Sequence, residues 1–303
     1  MSAMGSPRPL QGIALMVAAV ACFAALDTMT KITGAAVPVV MALWVRYLAQ
    51  AALTGAVLLP ARGRILLRTR RPWLQATRAL TMLLSSACAF FSLQVLPVGE
   101  FTAVVSLTPL AIALAAATLF GERMSALRWL CLLAGFAGAL VVIRPGADLE
   151  PAMLLPLAAV CLNAAYQLLT SVLTGTDGAG TTHFYTGCIA ALLLSAALPL
   201  AWTWHVDALH WWLLAGMALA GCAGHMFLVL AYARAPVGVL TPYLYLQIAF
   251  AMLGGWLVFG WLPDAWSLLG VAMIAASGVA GTAVAARERA LPARPAAQQA
   301  RAV

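Results

Sequence analysis

The charged side chains inside long apolar segments are the residues of this sequence that can do chemistry. Arg46 lies about eight residues into an apolar run, roughly 12 Å along a helix axis. A cation at that depth is expected to face the protein interior. Two interpretations are open: Arg46 anchors a carboxylate or phosphate of a bound molecule, or it is a structural partner of Asp27 or of backbone carbonyl groups.

Titratable groups occur in similar surroundings. Asp27 and Lys31 are four residues apart and share one helix face, so they either form an ion pair or leave Asp27 to titrate and carry protons. His183 and His225 are either packing residues or groups that titrate near neutral pH. Asp27 and His225 are the candidates for carrying a coupling proton.

A second group of polar and aromatic side chains lies within apolar segments, where hydroxyl and amide groups need partners. These side chains either hold helices together or line a pocket for an aromatic or amphipathic solute. We favour the pocket for Tyr243, Tyr245 and Gln247. The full group is Trp44, Asn163, Tyr166, Gln167, Tyr185, Tyr243, Tyr245 and Gln247.

The composition indicates the solvent in which these residues work. Of 303 residues, 64% are apolar and 9% are charged, which is far too few charges for a soluble domain. The chain therefore has the lipid bilayer as its main partner. Its net charge of +8 comes from clustered arginines that act as topology signals, so we expect no nucleic-acid partner. The six cysteines form no CxxC pair, and we predict no metal site and no cofactor.

Apolar runs bounded by charged residues, proline or glycine predict an all-α integral membrane protein with ten transmembrane helices. The predicted helices are Leu10–Ile32, Pro38–Pro60, Ala76–Leu96, Gly99–Phe120, Ala126–Ile143, Met153–Leu173, Thr181–Leu200, Leu209–Tyr232, Val237–Phe259 and Trp266–Ala286.

The arginine distribution predicts the orientation of these helices. Residues 61–74 carry five arginines and no acid, which places this loop in the cytoplasm. With ten helices, both termini then lie in the cytoplasm, and residues 287–303 form a basic cytoplasmic tail. Arg78, close to the cytoplasmic end of the third helix, is expected to extend toward the interface.

The chain also matches itself when it is shifted by about 139 residues. Residues 97–99 and 236–238 are both Pro-Val-Gly, and residues 120–121 and 259–260 are both Phe-Gly. Five helices per repeat is an odd number, so the two copies enter the membrane from opposite sides. This predicts two inverted five-helix repeats, residues 10–143 and 153–286, with a binding cavity between them.

These motifs resemble those of the drug/metabolite transporters built from paired EamA domains. The first half carries Leu96-Pro97-Val98-Gly99, Ser106-Leu107-Thr108-Pro109 and Phe120-Gly121-Glu122-Arg123; the second carries residues 235–238, 243–247 and 259–264. The resemblance implies ten helices, inverted repeats, secondary transport and a bacterial inner membrane. One departure is that the Gly-Glu pair of the first half is replaced by Gly260-Trp261 in the second.

The sequence thus predicts a permease that moves a small solute, such as an amino acid or a related compound, by alternating access. Protons are a candidate coupling ion. The sequence contains no GxxxxGK[ST] phosphate loop that would let ATP drive transport directly. The first alternative is a non-transporting scaffold or sensor. The second, less favoured, is a membrane-embedded enzyme, for which the sequence contains no HExxH motif, no paired intramembrane aspartates and no histidine cluster.

Overall fold

The computed structural model describes residues 9–34, 36–95, 104–105, 107–119, 121, 124–143, 154–260 and 264–290. Within these ranges the chain is all-helical, which confirms the predicted fold class at that level. The ten principal helices are α1 (Pro9–Thr33), α2 (Val39–Arg62), α3 (Pro72–Val95), α4 (Thr108–Leu119), α5 (Ala126–Ile143), α6 (Leu154–Leu173), α7 (Ala179–Ala201), α8 (Ala208–Tyr232), α9 (Val237–Phe259) and α10 (Ala265–Ala290).

Six of these helices, α1, α2, α6, α7, α8 and α9, are long and apolar enough to cross a bilayer. Shorter apolar stretches lie in α4, α5 and α10. Large apolar side chains such as Leu192, Leu200 and Leu257 are exposed on the outside of the bundle. The outer surface of the bundle therefore suits lipid better than water.

Several sequence motifs fall outside the described residues. These are Leu96-Pro97-Val98-Gly99, Ser106, Phe120 and Glu122-Arg123 of the first half, together with residues 261–263 and the part of the basic tail beyond Ala290. The remaining motif residues lie in the helices or next to their ends.

Two motif glycines follow the ends of helices α4 and α9. Gly121 follows α4 with φ +63°, and Gly260 follows α9 with φ +70°, and both values lie in the left-handed region that favours glycine. The backbone N–H of Gly260 donates to the Trp256 carbonyl at 3.0 Å, which closes the last turn of α9.

Helix α9 is interrupted near its start. Residues Val237–Leu240 are α-helical, Thr241–Tyr245 form a 3₁₀ segment, and Leu246–Phe259 are α-helical again. Pro242 accounts for this change, because proline supplies no backbone N–H to the i−4 ladder. Pro109, in contrast, lies in the first turn of α4, where a missing N–H costs little.

The packing of the helices links the two halves of the chain. Helix α1 packs on α8 and α9, while α6 packs on α3 and α4. Helix α2 packs on α7 and α8, α7 also packs on α3, and α5 packs on α10. This set of pairs is unchanged when every helix is exchanged for the one five positions away along the chain, so that α1 takes the place of α6, α2 that of α7, and so on.

Glycine permits the closest of these contacts. A Cβ atom on Gly187 of α7 would lie 2.7 Å from the backbone nitrogen of Ala51 on α2. In the same way, a Cβ atom on Gly138 of α5 would lie 2.8 Å from the Gly270 carbonyl oxygen on α10. These distances are shorter than real contacts allow, so the backbones of both helix pairs meet directly at these crossings.

Candidate functional site

Arg46 lies inside the bundle, as its depth in α2 predicted. Its side chain is 7% exposed, and its Nη2 donates to the Ser86 hydroxyl on α3 at 2.8 Å. The guanidinium carbon lies 4.6 Å from the ring centroid of Tyr47, whose hydroxyl is 3.0 Å from the same Ser86 hydroxyl. Among the described residues, Arg46 Nε has no hydrogen-bond partner.

Arg78 of α3 does not extend toward the interface, so that expectation was wrong. Its side chain is fully buried. It donates from Nε to the Thr170 hydroxyl at 2.7 Å, from Nη1 to the Thr182 carbonyl at 3.1 Å and to the Thr186 hydroxyl, and from Nη2 to the Tyr166 hydroxyl at 2.9 Å. The acceptors on α6 and α7 keep the guanidinium inside the bundle. Their hydrogen bonds to the charged group offset the free-energy cost of removing it from water.

His225 of α8 continues this chain of contacts. Its Nδ1 lies 3.3 Å from the Tyr166 hydroxyl, and its ring centroid lies 4.8 Å from that of Phe23 on α1. The side chain is 4% exposed. We call Arg46, Arg78, Tyr166 and His225 the central polar network, since Arg46 and Arg78 each interact electrostatically with Tyr166 and His225.

A shorter polar chain joins α6 to α8. The Gln167 amide nitrogen donates to the Asn163 carbonyl oxygen at 2.6 Å, and the Tyr232 hydroxyl donates to the Gln167 carbonyl oxygen at 2.6 Å. Gln167 is one residue after Tyr166 of the central polar network. Of the sequence candidates, Arg46, His225, Asn163 and Gln167 therefore lie on α2, α6 and α8 in or beside this network.

Asp27 and Gln247 face each other across α1 and α9. The Gln247 amide donates to the Asp27 carboxylate at 2.7 Å. Asp27 is exposed at the surface of the described chain although it lies six residues inside the end of α1. Lys31 also reaches α9, where its ammonium lies 5.3 Å from the Phe259 ring centroid. The carboxylate is thus held by a neutral donor at an accessible position between two helices.

Two sequence candidates lie away from the central polar network. The Trp44 indole donates to the Ser195 hydroxyl at 2.9 Å and meets the Trp202 ring edge-on at 6.0 Å. The Tyr185 hydroxyl donates to the Leu67 carbonyl at 2.9 Å, in the short 3₁₀ segment that follows α2. Both residues tie α7 to other elements.

Tyr243 and Tyr245 of α9 face the α5–α10 pair. The Tyr243 hydroxyl donates to the Gly278 carbonyl of α10 at 3.3 Å. The ring of Tyr245 lies against Gly135 of α5, where an added Cβ would be 2.9 Å from Tyr245 Cδ2. Among the described residues, Gln247 is the one of these three pocket candidates whose side chain bonds to a charged side chain, that of Asp27.

Sequence reasoning missed a polar junction at one end of the bundle. Asp177, in the turn between α6 and α7, accepts from the Gln75 amide at 2.9 Å, from the Arg70 backbone N–H at 3.1 Å and from the Thr69 hydroxyl. Gln75 also donates to the Thr182 hydroxyl at 3.2 Å. Asp177 lies outside the apolar runs, where it resembles a solvated loop residue, and the sequence carries no signal of these partners.

The site carries hydrogen-bonding groups and aromatic rings. In the part of the chain that the structure describes, no three His, Cys, Asp or Glu side chains lie close enough to hold a metal ion. His183, which is a packing residue, uses both ring nitrogens, on the Thr54 hydroxyl at 2.7 Å and the Cys222 carbonyl at 3.0 Å. The central polar network offers N–H groups and aromatic faces to a ligand.

Comparison with known proteins identifies the family. The EamA-like transporter family matches residues 10–144. A riboflavin transporter of Rhizobium johnstonii is 33% identical over 220 residues, which are 70% of this chain and 70% of the relative. The chain belongs to the EamA-like transporter family. The resemblance seen in the sequence is thereby confirmed, and with it the assignment as a membrane transporter.

Other comparisons agree with this EamA-like assignment. An S-adenosylmethionine uptake transporter of Rickettsia bellii is 23% identical over 222 residues, which are 70% of this chain and 73% of the relative. A solved protein crystal structure superposes with a TM-score of 0.77 at 19% identity, covering 92% of this chain and 99% of that one. The last similarity concerns the fold alone.

Proposed function

We propose that this EamA-like permease carries a flat heteroaromatic metabolite with a polyhydroxylated side chain, of which riboflavin is the leading candidate. The observation that carries the proposal is the 33% identity to the Rhizobium johnstonii riboflavin transporter over most of both chains. The amino acid expected from the sequence is a weaker choice, because the aromatic rings of Phe23, Tyr47 and Tyr166 beside the central polar network suit a planar ring system.

The architecture we propose is ten spanning helices in two inverted repeats. Three observations support it. Gly121 and Gly260 follow α4 and α9 in the same left-handed conformation. Pro60 and Pro199 lie in the last turns of α2 and α7. The set of main helix pairs named above is unchanged when each helix is exchanged for the one five positions away. Such a protein has two nearly equivalent packings, one open to each side of the membrane.

We propose a bacterial inner-membrane location with both termini in the cytoplasm. The arginine-rich segment 61–74 supports this orientation. At the opposite end of α7, Trp202, Trp204 and Trp211 form a chain of ring contacts at 5.2 and 6.3 Å. Tryptophan clusters of this kind are typical of the level of the lipid headgroups. In this orientation, the Asp177 junction lies on the cytoplasmic side.

Alternating access gives the described contacts distinct roles. The Asp177 junction ties the α6–α7 turn to the segment before α3 and thereby closes the cytoplasmic end of this bundle. The central polar network lies between α1, α2, α3, α6 and α8, where a substrate would bind. Asp27 is our candidate for the coupling proton, since its carboxylate is accessible and is held by the neutral amide of Gln247. His225 is the second candidate.

S-adenosylmethionine is the second candidate substrate, because the Rickettsia bellii relative is named for its uptake. It shares with riboflavin a heteroaromatic ring system attached to a hydroxylated five-carbon unit. It differs in carrying an amino-acid group and a sulfonium cation. The two substrates are therefore distinguished by direct competition.

The test is uptake by the purified protein in liposomes, with flavin fluorescence as the measurement. We expect saturable riboflavin entry that requires protein and is inhibited by excess unlabelled flavin, with weaker inhibition by S-adenosylmethionine. Thr77→Val is the matched control, since Thr77 is exposed and its hydroxyl bonds only to the carbonyl of Trp73 in its own helix. Inhibition by S-adenosylmethionine without riboflavin entry favours the second candidate, and entry of neither overturns both.

A further inference from the structure

Two buried N–H groups of the central polar network lack a partner. Among the described residues, neither Arg46 Nε nor His225 Nε2 makes a hydrogen bond, although these side chains are 7% and 4% exposed. A buried donor without an acceptor costs free energy, which a ligand can recover. Five other buried side-chain atoms of the described structure also lack a partner, but Arg46 Nε and His225 Nε2 are the two that belong to one network. Arg78, which is fully buried, has four acceptors.

The hydrogen bonds of Tyr166 favour a proton on His225 Nε2. Arg78 can only donate, so the Tyr166 oxygen accepts from its Nη2 at 2.9 Å. Among the described residues, the acceptor within reach of the Tyr166 hydroxyl proton is His225 Nδ1, 3.3 Å away. When Nδ1 accepts this proton, the proton of the neutral imidazole is on Nε2. Arg78 thereby favours this tautomer of His225 through Tyr166.

The two donors lie on the same side of α8. The aliphatic stem of Arg46 fills the space above Gly221, where an added Cβ would be 3.1 Å from Arg46 Cδ. Gly221 and His225 are four residues apart and share one helix face. Phe23 of α1 closes this space, since its ring lies 4.8 Å from the His225 ring and would be 2.7 Å from a Cβ on Gly224.

We infer that Arg46 Nε and His225 Nε2 form a two-donor site for the carbonyl oxygens of the substrate's planar ring, with Phe23 beside it as an aromatic wall. The inference rests on the proposed function and specifies which part of the substrate this site binds. The ring system of riboflavin carries two carbonyl groups on one edge and thus presents acceptors to both N–H groups. The hydroxylated side chain then extends away from Arg46 and His225.

Flavin binding to detergent-purified variants tests the site. Arg46→Met keeps an aliphatic stem over Gly221 without donors, His225→Phe keeps a ring beside Phe23, and His225→Gln restores an N–H near the position of Nε2. We use riboflavin and lumichrome, which retains the ring carbonyls and lacks the hydroxylated chain. Arg46→Met and His225→Phe are expected to weaken both ligands equally, by roughly tenfold or more, and His225→Gln is expected to recover part of the affinity.

The outcomes separate the site from the proposed function. If the variants weaken riboflavin but leave lumichrome binding unchanged, the donors contact the side chain, and the inference is overturned. Wild-type affinity in both variants, with intact riboflavin uptake, also overturns it and leaves the proposed function standing. A wild-type protein that binds no flavin overturns the proposed function and with it the assignment of the ring carbonyls.

A second measurement needs no ligand. Arg46→Met removes the unpartnered Nε together with one hydrogen bond to the Ser86 hydroxyl and the contact with the Tyr47 ring, whereas Arg78→Met removes four hydrogen bonds. Ligand-free Arg46→Met is therefore expected to melt closer to wild type than Arg78→Met does. An equally large loss in both variants shows that Arg46 is a structural residue and overturns the inference.

Discussion

Arg78 contacts Tyr166 in two ways: its Nη2 donates to the Tyr166 hydroxyl at 2.9 Å, and its guanidinium carbon lies 4.5 Å from the centroid of the same ring. The hydrogen bond and the cation–π contact together fix the phenol between α3 and α8. The Tyr166 hydroxyl in turn lies 3.3 Å from His225 Nδ1. A residue first expected at the membrane interface is thus connected to a candidate binding residue.

Replacing Arg78 is expected to destabilise the protein. Arg78→Met leaves the Thr170, Thr186 and Tyr166 hydroxyls without their donor, at a cost of about 2 to 4 kcal/mol. Arg78→Lys is expected to fall between wild type and Arg78→Met, because an ammonium cannot reproduce the planar fork. Thermal melting in detergent measures this order, with Thr77→Val as the control. Wild-type melting of Arg78→Met would contradict a structural role for the guanidinium.

The close crossing of α2 and α7 predicts the effect of a single methyl group. Gly187→Ala places a Cβ 2.7 Å from the Ala51 nitrogen, and the backbones must separate. We expect a loss of about 1 to 3 kcal/mol. Gly278→Ala is the matched control, because its nearest neighbour is a Tyr243 ring carbon at 3.7 Å, an ordinary contact. Equal melting temperatures for the two variants would show that α2 and α7 are less tightly packed.

Asp177 is expected to protect the arginine-rich loop from proteases. Asp177→Ala removes the acceptor for the Arg70 backbone N–H, the Thr69 hydroxyl and the Gln75 amide. Trypsin added to inside-out vesicles should then cleave after Arg68, Arg70 or Arg71 faster than in wild type. The same trypsin added to right-side-out vesicles should leave this loop intact. Cleavage from that side would reverse the proposed orientation.

Replacing Asp27 is expected to abolish substrate accumulation driven by a pH gradient and to leave substrate exchange intact. Asp27→Asn keeps an oxygen for the Gln247 amide but cannot carry a proton. If Asp27 couples a proton to transport, riboflavin accumulation driven by a pH gradient in liposomes is lost, while exchange of internal for external riboflavin continues. Normal gradient-driven accumulation in Asp27→Asn would contradict a coupling role for Asp27. His225 would then be the next residue to replace.

Apolar patterning was sufficient to predict the helices, and depth in a helix was sufficient to predict that Arg46 is internal. The partners of these residues could not be predicted, because they depend on which helices meet. Arg78 lies six residues into α3 and resembles an interfacial arginine until Thr170 and Thr186 are placed beside it. Tyr243 and Tyr245 turn toward α5 and α10 because the 3₁₀ segment changes the angular spacing of their side chains.

That 3₁₀ segment also determines the length of α9 and the direction in which its later side chains point. A 3₁₀-helix rises about 2.0 Å per residue and turns about 120°, against about 1.5 Å and 100° for an α-helix. Rewinding residues Thr241–Tyr245 as α-helix would shorten the helix by about 2.5 Å and rotate its remainder by about 100°. Such a screw motion would move Gln247 away from Asp27, so local winding in α9 and the holding of the Asp27 carboxylate are mechanically linked.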